Sequence, residues 1–138
     1  MTAGDENIFK VRIRYSETDQ MGYVYYGNYA RFYEIGRTEM MRSLGIHYKT
    51  MEEQGIMMPV ISMEARYLRP AKYDDLIEIR TRIRKLDDKE IVFETRIFNE
   101  DLKLLNRGIV RLCFIDKESH HRIPTPAFII QTIYGNKN

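Results

Sequence analysis

Apolar and polar residues alternate along several segments of this chain, which is the pattern of strands that bury one face. The first such segment covers residues 8 to 16 and runs directly into a polar loop. Short polar stretches at 87–89 and 99–101 predict hairpin turns, so we expect a largely antiparallel sheet. Three later segments alternate in the same way: 61–67, 77–84 and 91–97. A fourth segment, 103–116, carries apolar residues on both faces.

A helical pattern lies between the first two predicted strands. From residue 28 to 44, apolar positions recur at spacings of three and four, which predicts one helix with a buried face. Asn28 is the expected N-cap and Gly45 the expected C-terminal stop. The apolar face consists of Tyr29, Phe32, Tyr33, Gly36, Met40 and Leu44.

A glycine on that face, Gly36, would let a sheet approach the helix closely, at a cost of about 1 kcal/mol in helix propensity relative to alanine. A second, short helix is predicted over about 47–54, and we interpret the remainder of the chain as strands. One long helix followed by antiparallel strands predicts an α+β fold in which a sheet of about five strands covers the helix.

Composition limits the class of protein. The 138 residues fit a single domain spanning 1–138, and 22 basic against 20 acidic residues, a net charge of +2, favour no nucleic-acid partner. Cys113 is the only cysteine, which fits a reducing compartment. No apolar run approaches the roughly 20 residues of a membrane span, and residues 1–7 lack a signal-peptide pattern. We therefore expect a cytoplasmic protein.

The candidate chemistry lies between the first strand and the long helix. Asp19 can act as a base or nucleophile, and backbone N–H groups around Tyr26, Gly27 and Asn28 can form an anion-binding helix start. Acyl transfer needs these two components. Gly22 and Gly27 would let the intervening backbone turn tightly and approach a ligand.

The stretch from Asp19 to Glu39, D-Q-M-G-Y-V-Y-Y-G-N-Y-A-R-F-Y-E-I-G-R-T-E, resembles the hotdog-fold acyl-CoA thioesterases of the 4-hydroxybenzoyl-CoA thioesterase type. Their pattern is roughly Asp-x-x-Gly-hydrophobic-Val-x-(Tyr/His)-x-Asn-Tyr. A looser likeness covers the segment from Tyr67 to Asp75 and the Arg122-Ile123-Pro124 segment. Many family members that act on short or general acyl-CoAs carry His at the position of Tyr26, whereas the aromatic-acyl enzyme carries Tyr.

The resemblance implies an antiparallel sheet curled around a central helix, paired edge to edge into a homodimer or homotetramer with active sites between subunits. It also implies hydrolysis of an acyl-CoA to the free acid and coenzyme A, without cofactor or metal. Asp19 would attack the thioester or activate water, and Tyr26 would contribute its backbone N–H. Residues expected to contact the substrate are Tyr23, Gly27, Asn28, Val60, Ile61, Ser62, Met63, Arg69, Lys72, Lys85, Lys89 and Arg122, the last five as cations for the nucleotide phosphates.

Other interpretations remain open. Asp19 is also a natural turn or capping residue, and Glu34 or Glu39 on the helix is an alternative catalytic carboxylate. The pair His120-His121 lacks supporting ligands for a metal, and Cys113 with His47 is a weak nucleophile pair because the cysteine lies within a strand pattern. An acyl-carrier-protein thioesterase and a noncatalytic acyl-thioester-binding module are the alternative functions.

Overall fold

The computed structural model describes residues 5–135. Residues 1–4, which belong to the segment expected to lack a signal peptide, and residues 136–138 lie outside the described part. In chain order the strands are β1 (Asn7–Arg12), β2 (Ile56–Met57), β3 (Val60–Tyr67), β4 (Leu76–Leu86), β5 (Ile91–Phe98), β6 (Leu104–Leu112), β7 (Phe114–Asp116) and β8 (Arg122–Ile123). The helices are α1 (Tyr29–Ser43), α2 (Tyr48–Glu53) and α3 (Ala127–Gly135).

Five strands form one antiparallel sheet in the order β1-β4-β5-β6-β3, and α1 packs against it, which confirms the predicted α+β architecture. Both predicted hairpins are present, between β4 and β5 and between β5 and β6. The edge strands are therefore β1 and β3. Strand β3 is largely exposed along its length, including the apolar residues Val60, Ile61 and Met63.

Helix α1 lies close to the sheet because two glycines leave room for it. A Cβ added to Gly36 would overlap Thr81 Oγ1 and lie 2.9 Å from Ile79 Cγ2. On β6, a Cβ added to Gly108 would overlap the ring of Tyr33. Close approach of the helix to the sheet thus agrees with the expectation for Gly36 and extends it to Gly108.

The first strand is shorter than predicted. The alternation suggested a strand to residue 16, but β1 ends at Arg12 and a 3₁₀ turn covers Tyr15–Glu17. The backbone N–H of Arg14 donates to Glu17 Oε1 at 2.6 Å, which holds the chain in this turn. Tyr15, expected on the buried face, is 78% exposed as a result.

The segment 103–116 is also not one strand. It breaks at Cys113, whose N–H donates to the Pro59 carbonyl at 3.1 Å, and continues as β7 in a separate sheet of order β2-β7-β8. Because the chain changes sheets, it buries residues that the alternation assigns to opposite faces. Leu112, Cys113 and Phe114 are consecutive and all buried.

The C-terminal helix α3 was not predicted, since the remainder of the chain was interpreted as strands. Its Ile129 and Ile133, four residues apart, are fully buried, and the Tyr134 hydroxyl donates to the Leu86 carbonyl at 2.9 Å. Isoleucines favour strands by local propensity. Packing against the end of β4 therefore outweighs local preference here.

Candidate active site

Asp19 lies in a tight turn between β1 and α1. Its Oδ1 accepts hydrogen bonds from the backbone N–H groups of Met21 at 2.8 Å and Tyr23 at 3.2 Å. Gly22 adopts φ 78°, a conformation that glycine reaches without strain, and donates to the Asp19 carbonyl at 3.0 Å. Within residues 5–135, Asp19 Oδ2 has no hydrogen-bond donor. One carboxylate oxygen thus holds the turn while the other is available for chemistry.

The entry to α1 follows this turn. A 3₁₀ turn covers Tyr26–Asn28, and the helix begins at Tyr29. Among the described residues, the backbone N–H groups of Tyr26 and Gly27 have no hydrogen-bond acceptor. The N–H of Asn28, also expected to bind an anion, instead donates to the Tyr25 carbonyl at 2.9 Å. Unpaired N–H groups at a helix start are suited to bind an oxygen that gains negative charge.

Asn28 occupies the N-cap position, as predicted, but its side chain forms no capping bond. Instead its Nδ2 donates to the Glu17 carbonyl at 2.8 Å, which also accepts the Tyr25 N–H at 2.9 Å. Gly27 does not have the left-handed conformation that requires glycine, although an added Cβ would meet the Tyr25 ring at 2.7 Å. The predicted N-cap position is therefore confirmed, while the Asn28 amide links two loops and does not cap the helix.

Glu17 was not recognised from the sequence, and it connects the two halves of the site. It is only 3% exposed. Its carboxylate accepts the Arg14 N–H and pairs with Arg31 of α1 at 3.0 Å. Since its carbonyl also holds Asn28, Glu17 fixes the Asp19 turn relative to the helix start. A glutamate beside a polar loop is normally expected at the surface, so the burial of Glu17 could not be predicted from the sequence.

The Asp19 turn and the α1 entry line one open cleft of about 340 Å³. Tyr67, at the end of β3, forms part of its wall: the Tyr67 hydroxyl donates to the Tyr26 carbonyl at 3.3 Å, and its ring meets that of Tyr29 edge-on at 5.4 Å. Burial raises the pKa of Tyr29 above its ordinary value, which keeps this phenol neutral. The lining residues are Asp19, Tyr23, Val24, Tyr26, Tyr29, Tyr67, Leu68, Arg69 and Pro70.

The predicted contact residues thus divide into two groups. Tyr23, Tyr26 and Arg69 line the cleft, with Gly27 and Asn28 adjacent in the chain, and Lys72 pairs with Tyr23 through a backbone bridge. Tyr67, Leu68 and Pro70 also line it but were not predicted to bind substrate. The sequence did indicate these residues, because they belong to the segment from Tyr67 to Asp75 that has the looser family resemblance.

The second group lies elsewhere in the same chain. Residues Val60, Ile61, Ser62 and Met63 begin β3, whereas the cleft meets only the end of that strand. Lys85 and Lys89 lie at the β4–β5 hairpin, at the opposite end of the sheet from the Asp19 turn, and Arg122 begins β8. Lys85 is paired with Glu90 at 3.1 Å and Asp87 at 3.4 Å, interactions that raise its pKa. Their role in substrate binding stays a prediction.

The alternative catalytic groups are also placed. Glu39 is paired with Arg42 at 3.7 Å, and Glu34 lines a different cavity from Asp19. Cys113 is buried where β6 ends, and His47 is an exposed residue at the start of α2. In the described part of the chain, no three His, Cys, Asp or Glu side chains are grouped to hold a metal ion. No helix of residues 5–135 has both the length and the apolar character needed to cross a membrane.

A five-stranded antiparallel sheet on one long helix is the hotdog architecture, a fold that thioester hydrolases share. Residues 13–133 match the family model of the Thioesterase-like superfamily, and the chain belongs to this family. The acyl-CoA thioester hydrolase YbgC of Escherichia coli O157:H7 is 36% identical over 106 residues, covering 77% of this chain and 79% of that protein. The putative acyl-CoA thioesterase YneP of Bacillus subtilis is 34% identical over 110 residues, 80% of each chain.

Solved structures agree with the fold. The DHNA-CoA thioesterase of Staphylococcus aureus superposes with a TM-score of 0.84 at 33% identity, covering 86% of this chain and 80% of that one. A mutant form of 4-hydroxybenzoyl-CoA thioesterase, complexed with 4-hydroxybenzoyl-CoA, gives a TM-score of 0.84 at 23% identity over 93% of this chain and 98% of that one. The second likeness concerns the fold alone. The relatives from Escherichia coli and Bacillus subtilis, at 36% and 34% identity, make the chain an acyl-CoA thioesterase.

Proposed function

We propose that this thioesterase uses Asp19 as its catalytic carboxylate and the N–H groups of Tyr26 and Gly27 as its oxyanion hole. One observation carries the proposal: the carboxylate and the helix entry line the same cleft, and each has unpaired hydrogen-bonding capacity directed at no other described residue. Donors placed where negative charge develops typically contribute about 10²–10³ in rate each.

Two mechanisms are open to the same geometry. Asp19 Oδ2 attacks the thioester carbon, coenzyme A leaves as the thiolate, and water then hydrolyses the mixed anhydride. Alternatively, Oδ2 accepts a proton from water as its oxygen adds to the carbon, after which the C–S bond breaks and the thiolate takes a proton. In both, the carbonyl oxygen becomes negative in the tetrahedral intermediate, and the N–H groups stabilise that charge.

We further propose that the enzyme works as a dimer or larger homo-oligomer joined along β3. That edge strand is exposed and carries several apolar side chains, and an unpaired edge is a template for strand addition. Antiparallel pairing with a second copy would bring the start of β3, with Val60 to Met63, towards the partner's cleft. This arrangement would reunite the two groups of predicted substrate contacts.

The nucleotide of coenzyme A is proposed to contact Arg69, which lines the cleft, and Lys72, whose backbone is bridged to Tyr23 of the cleft. Arg69 donates to the Leu104 carbonyl at 3.0 Å, which fixes its guanidinium beside the opening, and Lys72 is exposed. An acyl carrier protein, an acidic partner, is the alternative source of the thioester. A noncatalytic acyl-thioester-binding module is the other alternative. Such a module would not need the unpaired Oδ2 of Asp19.

Release of free thiol tests this proposal across acyl-CoAs that differ in chain length and aromaticity, with acyl-carrier-protein thioesters in parallel. We expect turnover of acyl-CoA by the wild-type protein and at least about 10³-fold less by Asp19→Asn. Binding of acyl-CoA without thiol release would favour the noncatalytic module. Turnover of acyl-carrier-protein thioesters alone would identify those thioesters, and not acyl-CoA, as the substrate class.

A further inference from the structure

A second cavity of about 320 Å³ opens beside the later part of α1, and it has the character of a ligand site. Its walls combine apolar side chains with a small number of polar groups, the usual composition of a small-molecule pocket. Eight residues of α1, about 12 Å along the helix axis, separate Tyr29 of the Asp19 cleft from Arg37 of this cavity. The lining residues are Glu34, Arg37, Tyr48, Met51, Glu52, Ile56, Met57, Met58 and Leu112.

Arg37 is the unusual feature of this cavity. It is only 9% exposed, its Nε has no hydrogen-bond partner, and within residues 5–135 no carboxylate lies within ion-pair distance of its guanidinium. Arginine cannot lose its charge in a protein and offers only donors. A buried cation without an anion is costly, so the site calls for an acceptor, best of all an anion.

Tyr48 adds a second polar group to the same wall. Its hydroxyl is enclosed beside the Arg37 and Thr38 side chains, but neither contact has the geometry of a hydrogen bond. Burial raises the pKa of Tyr48, while the nearby Arg37 charge opposes that rise, so the phenol stays protonated and can donate. Arg37 and Tyr48 thus form one adjacent pair of potential donors in the cavity wall. The apolar part of the lining includes Met51, Met57 and Leu112.

The carboxylates at the cavity do not neutralise Arg37. Glu52 pairs with Lys117 at 3.7 Å and is exposed. Glu34 is exposed and is three residues before Arg37 on α1, but it forms no ion pair with it. A ligand carboxylate held by the Arg37 guanidinium would supply the missing charge with short, charge-assisted hydrogen bonds.

We propose that this cavity binds the far end of the acyl group and that Arg37, with Tyr48, selects acyl chains that end in a carboxylate. The inference rests on the proposed function. Met57 and Met58 precede β3, whereas Tyr67 of the Asp19 cleft ends that strand and residues 68–70 of the cleft follow it. If two copies pair antiparallel along β3, the cavity of one subunit faces the Asp19 cleft of its partner. The apolar walls then accept the methylene chain, and the guanidinium binds its terminal carboxylate.

The test compares three coenzyme A thioesters of equal chain length: one with a terminal carboxylate, its methyl ester, and the plain acyl-CoA. We expect kcat/KM for the carboxylate substrate to exceed that for the methyl ester by about 10- to 100-fold, the value of a charge-assisted hydrogen bond. In Arg37→Met this ratio should fall to about one, while the plain acyl-CoA is still hydrolysed. Arg42→Met, which changes an exposed arginine further along α1, should keep the wild-type ratio.

A stability measurement separates ligand binding from a structural role. Because Arg37 has no anion in the protein alone, Arg37→Met should leave the melting temperature unchanged or raise it. A lower melting temperature, together with an energetic coupling to Glu34→Gln in a double-mutant cycle, would make Glu34 the true partner of Arg37 and overturn the proposal. Equal kcat/KM for all three substrates in the wild-type enzyme would also overturn it.

Direct binding keeps this inference distinct from the catalytic proposal. Calorimetry with a free dicarboxylic acid and the matching monocarboxylic acid needs no turnover. Tighter binding of the dicarboxylate that is lost in Arg37→Met supports the cavity assignment even if no acyl-CoA is hydrolysed. Normal acyl-CoA hydrolysis with equal binding of both acids would reject the cavity assignment and leave the Asp19 proposal intact.

Discussion

Substitution of Asp19 by asparagine separates the two roles that the structure gives this carboxylate. Oδ1 accepts two backbone hydrogen bonds that hold the turn, whereas Oδ2 has no donor and the residue lines the cleft. The asparagine carbonyl can replace Oδ1 and keep both bonds. Its NH₂ group then occupies the position of Oδ2, where it can neither attack a thioester nor accept a proton from water.

The structure sets the expected magnitudes. Each of the two turn hydrogen bonds contributes about 0.5–1.5 kcal/mol, so Asp19→Ala should lose about 1–3 kcal/mol of stability and Asp19→Asn less than about 1 kcal/mol. Loss of the base or nucleophile should lower kcat by about 10³ or more, equivalent to about 4 kcal/mol in the barrier. The asparagine variant should therefore be folded and inactive.

Three measurements decide the outcome: thermal unfolding, oligomer size and single-turnover thiol release. Glu39→Gln is the matched control, because it removes an α1 carboxylate that is paired with Arg42 outside the cleft. It should retain near-normal kcat. Near-normal turnover by Asp19→Asn would refute the role of Asp19 and return the helix carboxylates as candidates. Loss of folding in Asp19→Asn would show that the turn depends on the charge itself.

Four further outcomes follow from the fold and the site. Gly36→Ala should destabilise the protein by about 1–3 kcal/mol in denaturant unfolding, since its Cβ would overlap Thr81 Oγ1; equal stability would mean that α1 can move away from the sheet. Asn28→Ala should lower kcat by about 10- to 100-fold with little change in secondary structure, because the link between Glu17 and the helix entry is lost; unchanged kcat would make that link unnecessary. Glu94 is 3% exposed, and although burial raises its pKa, hydrogen bonds from Arg107 and the charges of Arg82 and Arg107 outweigh burial and lower it. Its stabilisation should be complete above the ordinary glutamate pKa of 4.5 and lost as the pH falls through the lower folded value, so Glu94→Gln should flatten acid unfolding and cost about 2–4 kcal/mol at pH 7. Size measurement at low concentration should give a dimer at least, and Ile61→Lys on β3 should weaken that assembly; a fully active monomer would contradict the intersubunit site.

Local sequence determined the features that depend on residues close together in the chain. The helical stripe from Tyr29 to Met40 has a period that only a helix satisfies, and α1 begins and ends within a residue or two of the predicted bounds. The hairpins at 87–89 and 99–101, and the turn at Gly22, follow from short polar or glycine-containing segments. The Asp19 motif also lies within one short stretch of sequence. The family resemblance could therefore be recognised from the sequence alone.

Tertiary structure alone decided which distant residues share a site. Tyr67 meets the Asp19 turn only because β3 pairs with β6 at the far edge of the sheet, a register that no local pattern specifies. Glu17 and Arg37 look like surface charges in sequence, yet both are buried, because neighbouring elements close over them. The break at Cys113 and the helix α3 depend in the same way on packing against remote segments. Burial depends on which elements pack over a side chain in the folded protein. The residue type alone does not determine that packing.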